Sequence, residues 1–510
     1  MNKMKLSQLL GDIHPHEIKG DTEREVFSLC YDSRKCDKNS LFVAIPGFSQ
    51  DGHDYIDDAL SRGASVIIYE RCRDFPPHVT AVKVDDTRRA LGILARNFYG
   101  DPSRELCLIG ILGTNGKTTV TFLLESILTL AGFTVGVMGT IDYRYGGKSF
   151  PASHTTPEAP EYHRILREMV LNGVSHVISE VSSHAVDLHR VDTCSFDLGI
   201  FTNLSQDHLD YHQTMENYFQ AKLRFFREIL PKGKQFLAKS AIINGDDPWG
   251  RRILQETTLP SLTYGLDEKN EVRGEILSLD TAGTEILVSW GKEKLSLHSP
   301  LIGEFNVFNI LAAVATSFVL EVDREAIRRG IGTLKGVPGR LEKVSLPHEP
   351  TVIVDYAHTP DALIKVLKSL AQCRKGRIIT LFGCGGDRDR GKRPLMGEAA
   401  TALSDVVVIT SDNPRSEDPL DIISEIERGI RGWEKVSPEE LYCRKMERNL
   451  YTVEPKRRAA IEMAISLALP QDIVLIAGKG HENYQIIGRE RLPFDDRKVA
   501  REVLDTLYGL

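Results

Sequence analysis

The residues with the clearest chemical signature form a glycine-rich run at 110–119, GILGTNGKTT, which contains Lys117 and Thr118. The apolar stretch 106–112 predicts a buried strand, and the pattern at 118–131, closed by Gly132, predicts a helix. Glycines let backbone N–H groups approach phosphate oxygens, and a helix N-terminus adds partial positive charge. In such a loop Lys117 reaches the β- and γ-phosphates, and the Thr118 hydroxyl ligates Mg²⁺. The run therefore predicts a nucleoside triphosphate site.

The run departs from the strict phosphate-loop spacing, which would place a glycine where the chain has Ile111. The alternative is a strand-to-helix turn whose glycines serve the backbone alone. Gly-Lys-Thr-Thr directly after an apolar strand favours phosphate binding.

Polar clusters follow two further predicted strands of this region. The apolar stretch 176–179 runs into Glu180, where a carboxylate suits Mg²⁺ or a positioned water, although it could equally cap a helix. The stretch 198–202 leads into the polar run that contains His208, and a histidine alone is more often structural than a ligand. Lys222 lies on an amphipathic pattern that does not distinguish a functional lysine from a solvated one.

The last third of the chain has polar loops at similar places. Asp355 ends a predicted strand and could accept hydrogen bonds from a ribose, while Thr359 and Pro360 predict a helix start. The loop 383–393, GCGGDRDRGKR, indicates either an anion site or a flexible charged turn. The run 412–415, Asp-Asn-Pro-Arg, would present Arg415 to a carboxylate because proline restricts the backbone before it. Another polar loop, GKGHE, occupies 478–482.

Three regions of alternating strands and helices must position these loops, and we expect domains at 1–104, 105–335 and 336–510 with a linker at 101–103. This alternation is typical of α/β folds with mainly parallel sheets, whose ligands bind beyond the carboxyl ends of the strands. We therefore expect the site in a cleft between the second and third regions. The predicted strands lie at 26–31, 40–45, 64–69, 81–84, 106–112, 135–139, 176–181, 198–202, 241–244, 351–355, 377–382, 405–410 and 472–477, and predicted helices include 55–62, 87–99, 118–131 and 306–319.

Composition excludes several classes of protein. With 510 residues, several domains are expected, and a net charge of −7 argues against a general nucleic-acid or anionic-membrane binder. No apolar stretch approaches the ~18 residues of a membrane span, and no apolar signal core follows the first residues. The eight cysteines are scattered without a CxxC pair, which predicts reduced thiols and a cytoplasmic protein. We expect a monomer.

Six motifs, taken in chain order, resemble those of the Mur ligase family. They are GTNGKTT at 113–119, EVSSH at 180–184, N-x-x-x-D-H-L-D at 203–210, Ala-Lys at 221–222, DYAHTP at 355–360 and GKGHE at 478–482. The resemblance spans the whole chain. It implies a three-domain α/β architecture: an N-terminal domain for the UDP end of the substrate, a central ATPase domain with a P-loop-type sheet, and a C-terminal Rossmann-like domain.

The resemblance also implies roles for individual residues. An unmodified Lys222 ammonium would repel a metal ion, whereas its carbamate, formed with CO₂, would bind one. The implied catalytic residues are Lys117, Glu180, His208 and Lys222. The implied Mg²⁺ ligands are Thr118, Glu180, His208 and carbamylated Lys222. The implied ATP-binding residues are Gly113, Thr114, Asn115, Gly116, Lys117, Thr118, Thr119, Asn306, Asn309, Arg340 and Asp355. The implied UDP-substrate residues are Ser33, Thr155, Thr156, Ser182 and Arg190.

Within the family, the run 412–415 resembles that of members that add meso-2,6-diaminopimelate to UDP-N-acetylmuramoyl-L-alanyl-D-glutamate in peptidoglycan precursor synthesis. Arg415 and Arg388 suit the extra carboxylate of this amino acid, and Gly478 and Glu482 suit its distal ammonium. The implied diaminopimelate-binding residues are Arg388, Asp412, Asn413, Pro414, Arg415, Gly478 and Glu482.

Two places depart from the family pattern. Leu188 replaces a glutamine of close relatives, which puts one substrate hydrogen bond in doubt, and the segment 48–50 matches poorly. The alternatives are a lysine-adding member, a folylpolyglutamate synthetase and an ATP-binding switch without ligase activity. The N-terminal region of about a hundred residues and the run 412–415 argue against the synthetase.

Overall fold

A computed structural model describes residues 3–47, 50–152, 154–234, 237–346 and 349–509. Residues 48 and 49 of the poorly matching segment therefore lie outside the described residues. The chain forms two compact units, Met1–Val272 with Ala312–Ile327 and Arg273–Leu311 with Arg328–Leu510. No helix in the described ranges is both long and apolar enough to cross a membrane.

The N-terminal part of the first unit contains a sheet that is parallel except at one edge. Alternate residues point to opposite faces, so Leu41 packs into one apolar cluster and Phe42 into another. The edge strand Glu17–Lys19 is antiparallel to Thr80–Lys83. The strand order is Glu17–Lys19, Thr80–Lys83, Val66–Tyr69, Ser40–Val43 and Ser28–Cys30, and a separate short pair joins Met4–Lys5 to Glu25–Val26.

The central part of the first unit is a second sheet, whose middle strand leads into the glycine-rich run. Cys107–Leu112 pairs in parallel with His176–Glu180 on one side and Leu198–Phe201 on the other. All three strands therefore end at the same edge. In this unit the order is Lys148–Pro151, Asp142–Tyr145, Val135–Met138, His176–Glu180, Cys107–Leu112, Leu198–Phe201, Ala241–Asn244 and Ser261–Gly265.

Several antiparallel strands were not predicted from the sequence, among them two hairpins. Asp142–Tyr145 and Lys148–Pro151 form a hairpin at the edge of the central sheet. In the second unit, Gly283–Trp290 and Glu293–Ser299 form another, preceded by the strand Val272–Asp280. The expected mainly parallel sheets are thus present, with antiparallel additions.

The rest of the second unit is built on a doubly wound sheet with buried apolar clusters on both faces. Every neighbouring pair of strands in it is parallel except Glu342–Lys343 with Thr351–Asp355. The order is Glu342–Lys343, Thr351–Asp355, Ile473–Ala477, Ile378–Phe382, Val406–Ile409, Leu450–Val453 and Glu434–Lys435, and a hairpin joins Tyr484–Ile487 to Glu490–Pro493.

Helices connect most of the parallel strands. Several begin as predicted: Thr359 Oγ1 accepts from Ala362 N at 3.3 Å and caps Pro360–Cys373. The first-unit helices are Leu6–Leu9, Ile56–Ser61, Thr87–Tyr99, Lys117–Leu130, Ala159–Leu171, Ser183–Asp187, Leu209–His212, Met215–Arg224 and Pro248–Glu256. The remaining helices are Glu304–Val319, Arg324–Gly332, Pro360–Cys373, Lys392–Leu403, Pro419–Glu427, Pro438–Cys443, Arg457–Leu467 and Asp496–Tyr508.

The segment 101–103, expected as a linker, forms a packed turn instead. Pro102–Glu105 is a single 3₁₀ turn, and Ser103 is fully buried. Ser103 Oγ accepts a hydrogen bond from Ser195 N at 3.0 Å, and Arg167 Nε donates to Tyr99 O at 2.7 Å. These bonds fasten the N-terminal sheet to the central one.

Candidate active site

The glycine-rich run forms a tight loop between Cys107–Leu112 and the helix Lys117–Leu130. Gly113 has a φ of +146°, and a Cβ there would lie 1.9 Å from Thr202 Oγ1, so only glycine fits. Thr202 Oγ1 donates to Asn115 O at 2.6 Å, and Thr114 N donates to the carbonyl of Asn203 at 2.8 Å. The residues after a neighbouring strand therefore hold the loop in shape.

Two lysines meet at this loop. Lys117 Nζ donates to Gly113 O at 2.8 Å and to Thr114 O at 3.0 Å, and Lys222 Nζ donates to Gly113 O at 3.1 Å. Lys222 is 1% exposed, which excludes the solvated alternative. Burial, reinforced by the Lys117 charge, holds the pKa of Lys222 well below its ordinary value, so the amine loses its charge readily.

Glu180 is the buried carboxylate of the site. Its Oε2 accepts from Thr118 Oγ1 at 3.2 Å and from Thr140 Oγ1 at 2.8 Å, and its Oε1 accepts from Thr140 N at 3.2 Å. The helix that follows, Ser183–Asp187, is capped by Ser182, whose Oγ accepts from Ala185 N at 3.1 Å, so Glu180 does not cap it. A carboxylate beside a threonine hydroxyl is the hard-oxygen pair that Mg²⁺ prefers. Within the described ranges, no group of three His, Cys, Asp or Glu side chains is suited to a metal.

His208 lies at the start of Leu209–His212 with a φ of +53°. Its ring packs edge-on against His184, with centroids 4.9 Å apart, and near Tyr218 at 6.1 Å. Burial is the main cause that lowers the pKa of His208. The nearby Asp207 raises this pKa, whereas the charges of Lys117 and Lys222 lower it further. A neutral imidazole is the form that binds metal ions.

Four of the five residues expected to hold the UDP-sugar come together beyond Glu180. Thr156 Oγ1 donates to Glu180 O at 2.8 Å and accepts from Ser182 N at 3.0 Å. Arg190 Nη1 donates to Thr156 O at 2.9 Å, and the hydroxyls of Thr155 and Thr140 are 3.1 Å apart. The fifth residue, Ser33, is buried in the turn Ser33–Lys35 of the N-terminal sheet, and Leu188 ends the helix Ser183–Asp187.

In the second unit, Asp355 ends its strand in a buried position. Its carboxylate accepts from Leu341 N and Ala357 N, each at 2.7 Å. Burial raises the pKa of Asp355, and the nearby Arg340 opposes the rise. The Arg340 guanidinium stacks on Tyr356, 4.9 Å from the ring centroid. Asn309 Nδ2 donates to Asn306 Oδ1 at 2.9 Å, and both side chains are buried in Glu304–Val319.

The runs 412–415 and 478–482 lie against each other at one edge of the second unit's sheet. Asn413 Nδ2 donates to Glu482 Oε2 at 3.0 Å. A Cβ on Gly478 would lie 2.7 Å from Asp412 Oδ2, so the glycine allows a close approach. Lys479, for which the sequence predicts no role, is completely buried and donates to Asn413 Oδ1 at 3.1 Å and Glu482 Oε2 at 3.3 Å.

Arg415 is half-buried with a φ of +52°, and its Nη1 donates to Gly386 O at 2.5 Å. Arg388 lies exposed on the neighbouring loop. Arg393, counted in the basic loop 383–393, is fully buried between Glu417 and Glu425 at 2.8 Å each. The charge of Arg393 is therefore already paired within the protein.

A phosphate loop at the carboxyl edge of a parallel α/β sheet, followed by a second doubly wound sheet, defines a nucleotide-dependent enzyme of the ATP-using ligase class. The chain belongs to the Mur ligase family. Three family models match it: the Mur ligase family catalytic domain over residues 25–99, the Mur ligase middle domain over 111–317 and the Mur ligase glutamate ligase domain over 339–480. The predicted family and fold class are confirmed.

Curated relatives and solved structures match over nearly the whole chain. A UDP-N-acetylmuramoyl-L-alanyl-D-glutamate–2,6-diaminopimelate ligase of Geobacter metallireducens is 47% identical, with 97% of each chain covered. A protein of the same name from Clostridium tetani is 41% identical, covering 99% of this chain and 100% of its own. A solved structure of a ligase with that name has a TM-score of 0.71 at 32% identity, with 100% of each chain covered. MurF ligase from Thermotoga maritima in complex with ADP shares the fold, with a TM-score of 0.59, 18% identity and coverage of 94% and 96%.

Proposed function

We propose that this protein is an ATP-dependent, ADP-forming ligase that joins meso-2,6-diaminopimelate to UDP-N-acetylmuramoyl-L-alanyl-D-glutamate. One observation carries the amino-acid assignment. The run 412–415 lies against the loop 478–482, so an arginine, an amide and a carboxylate share one sheet edge. Such a set suits an amino acid with charges of both signs at its far end. Because ATP and UDP-linked sugars are intracellular metabolites, the proposal also places the enzyme in the cytoplasm.

The first half-reaction activates a carboxylate, which is a poor electrophile. An oxygen of the D-glutamate side-chain carboxylate attacks the γ-phosphorus, the bond to the bridging oxygen breaks, and ADP leaves. Lys117, at the start of its helix, neutralises charge that develops on the phosphoryl oxygens. Its ammonium is already oriented by the carbonyls of Gly113 and Thr114 at 2.8 and 3.0 Å.

In the second half-reaction the amine of diaminopimelate, having lost its proton, attacks the acyl carbon. The carbon–oxygen bond to phosphate breaks, and inorganic phosphate leaves with one oxygen from the substrate carboxylate. Exclusion of water protects the acyl phosphate from hydrolysis. Arg415 and Arg388 bind the far carboxylate, while Gly478 and Glu482 receive the distal ammonium.

The residues of the first unit fit Mg²⁺. Thr118 and Glu180 would hold one ion, since their oxygens are already 3.2 Å apart. His208, Glu180 and a carbamylated Lys222 would hold a second. Bound Mg²⁺ supplies charge neutralisation on the phosphates. Lys222 suits carbamylation because its buried amine readily becomes neutral, and a neutral amine can attack CO₂ and then lose a proton.

The experiment supplies UDP-N-acetylmuramoyl-L-alanyl-D-glutamate and ATP together with meso-diaminopimelate or L-lysine, and weighs the product. We expect a product with diaminopimelate and little with lysine, because lysine would leave Arg415 without its anion. If product formed with lysine and not with diaminopimelate, the protein would be assigned as the lysine-adding ligase. Absence of product with both would contradict the ligase.

An isotope experiment tests the intermediate. With ¹⁸O in the substrate carboxylate, one labelled oxygen should appear in the released phosphate. Unlabelled phosphate would rule out the acyl phosphate.

A further inference from the structure

Arg88 and Arg190 form an arginine pair around one carboxylate, where the N-terminal and central sheets of the first unit meet. Arg190 Nη2 is 2.8 Å from Glu158 Oε1, and Arg88 Nη1 is 3.9 Å from the same oxygen. Arg88 lies in the first turn of Thr87–Tyr99, and Arg190 follows the helix Ser183–Asp187. The two guanidinium groups are therefore neighbours, although Arg88 belongs to the N-terminal part of the first unit and Arg190 to its central part.

Each arginine leaves a buried N–H group without an acceptor. Within the described ranges, neither Arg88 Nη1 nor Arg190 Nε has a hydrogen-bond partner. Their remaining bonds are to backbone: Arg88 Nη2 donates to Pro46 O at 2.8 Å, and Arg190 Nη1 donates to Thr156 O at 2.9 Å. A buried charged donor without a partner is costly, which points to an acceptor that arrives with a ligand.

Among the described residues, the carboxylates around the pair leave two of its N–H donors without an acceptor. Glu158 balances only one of the two arginines. The next carboxylate, Glu161, accepts from Tyr31 at 3.0 Å and lies 3.4 Å from Lys35, and Asp187 accepts from Tyr211 at 2.5 Å. In the described part of the chain, ion pairs within 4 Å join these two guanidinium groups to Glu158 alone, and two buried N–H donors remain for an oxyanion.

We infer that Arg88 and Arg190 together bind an oxyanion of the UDP-sugar substrate. The inference deepens the proposed function and rests on it for the identity of the substrate. Arg190 was already expected to hold this substrate, whereas Arg88 comes from the other sheet and was assigned no role by the sequence. The substrate carries two kinds of oxyanion, the diphosphate and the carboxylates of its peptide, and the guanidinium pair suits both.

Direct binding tests the inference without turnover. Calorimetry would measure the affinity of Arg88→Ala, Arg88→Gln and Arg88→Lys for UDP-N-acetylmuramoyl-L-alanyl-D-glutamate and for UDP alone. We expect Arg88→Ala and Arg88→Gln to bind the full substrate roughly 10- to 100-fold more weakly, because a charge-assisted hydrogen bond is lost. Arg88→Lys keeps the charge and should lose less. Arg89→Ala is the matched control, because Arg89 lies next along the same helix and is 66% exposed.

The outcomes separate the sources of the anion. If the Arg88 variants lose equal affinity for UDP and for the full substrate, the bound oxyanion is the diphosphate. If they lose affinity for the full substrate alone, it is a carboxylate of the peptide. Wild-type affinity in Arg88→Gln would overturn the inference. Glutamine can still donate a hydrogen bond to the Pro46 carbonyl, so this result would mean that Arg88 supports the loop at Pro46 and does not bind the substrate. Wild-type affinity in Arg88→Ala would overturn it as well. These experiments measure binding and not turnover. An enzyme that fails to add diaminopimelate would therefore contradict the proposed function, whereas the binding data alone decide whether Arg88 and Arg190 hold an oxyanion.

Discussion

Lys117 and Lys222 donate to the same carbonyl oxygen, that of Gly113, although 105 positions separate them in the chain. Two ammonium groups that share one acceptor repel each other, and the more deeply buried one, Lys222, has its pKa depressed. The loop therefore holds, beside Lys117, a buried lysine that is suited to lose its charge.

Lys117→Met should lower kcat by roughly 10²- to 10³-fold, as expected when a preorganised group that stabilises transition-state charge is removed. The KM for the UDP-sugar should change little, since the Lys117 ammonium donates to the phosphate loop. Steady-state kinetics would measure both, with Lys148→Met, an exposed lysine on the edge hairpin, as the control. An unchanged kcat would contradict the ATP site.

Lys222 should carry a carbamate in the active enzyme. After exchange into ¹³C-bicarbonate, the wild type should show a carbamate carbonyl resonance that Lys222→Ala lacks. Activity of Lys222→Ala should be low and should recover in part with small carboxylic acids, which can place an anion in the vacated space. A wild type without the resonance, fully active in CO₂-free buffer, would show that Lys222 acts unmodified.

Glu180→Gln should raise the Mg²⁺ concentration needed for half-maximal activity, because an amide keeps the shape of the carboxylate without its charge. Glu228→Gln is the control, since the Glu228 side chain is exposed and pairs with Arg224. Activity against Mg²⁺ concentration would measure the shift, and EDTA should abolish turnover in the wild type. If the two variants needed the same Mg²⁺ concentration for half-maximal activity, Glu180 would not be a ligand of the metal ion.

Local signals predicted the loop and the helices well. Thr87–Tyr99 has the predicted bounds because Asp86 caps its first turn and Gly100, with a φ of +71°, ends it. The strand before the phosphate loop is buried along most of its length, and such a run of apolar residues can be recognised without knowledge of its neighbours.

The burial of individual charged residues depends on distant parts of the chain. Lys222 lies on a helix whose pattern fits a solvated lysine, and only its contact with Gly113 shows otherwise. Arg393 looks like part of a basic loop until Glu417 and Glu425 are placed beside it. The hairpin Gly283–Trp290 with Glu293–Ser299 was missed because its residues are only alternately buried, which gives a weak apolar signal.

Lys479→Met should raise the KM for diaminopimelate by roughly 10- to 100-fold, because the half-buried carboxylate of Glu482 would lose its cation and Asn413 would lose one of its two donors. The KM for ATP should stay unchanged. Lys435→Met is the control, since Lys435 is exposed and pairs with Glu427. Adding Glu482→Gln to Lys479→Met should cost less than the sum of the two single changes, as expected for residues in contact. Strict additivity would show that the lysine does not position Glu482.

His163 should make the stability of the first unit depend on pH. Its ring is fully buried, its Nε2 lies 2.9 Å from Thr193 Oγ1, and burial lowers its pKa to about 3 from an ordinary 6.5. Between these two values the unfolded chain binds the extra proton, so the free energy of unfolding falls as pH drops below 6.5. Lowering the pH from 7.5 to 5.0 should therefore cost the wild type about 2 kcal/mol more than His163→Gln, which does not titrate. Urea unfolding of both proteins at the two pH values would measure the difference. An equal loss in the two proteins would show that protonation of His163 is not what destabilises the wild type, because the remaining carboxylates and histidines titrate alike in both.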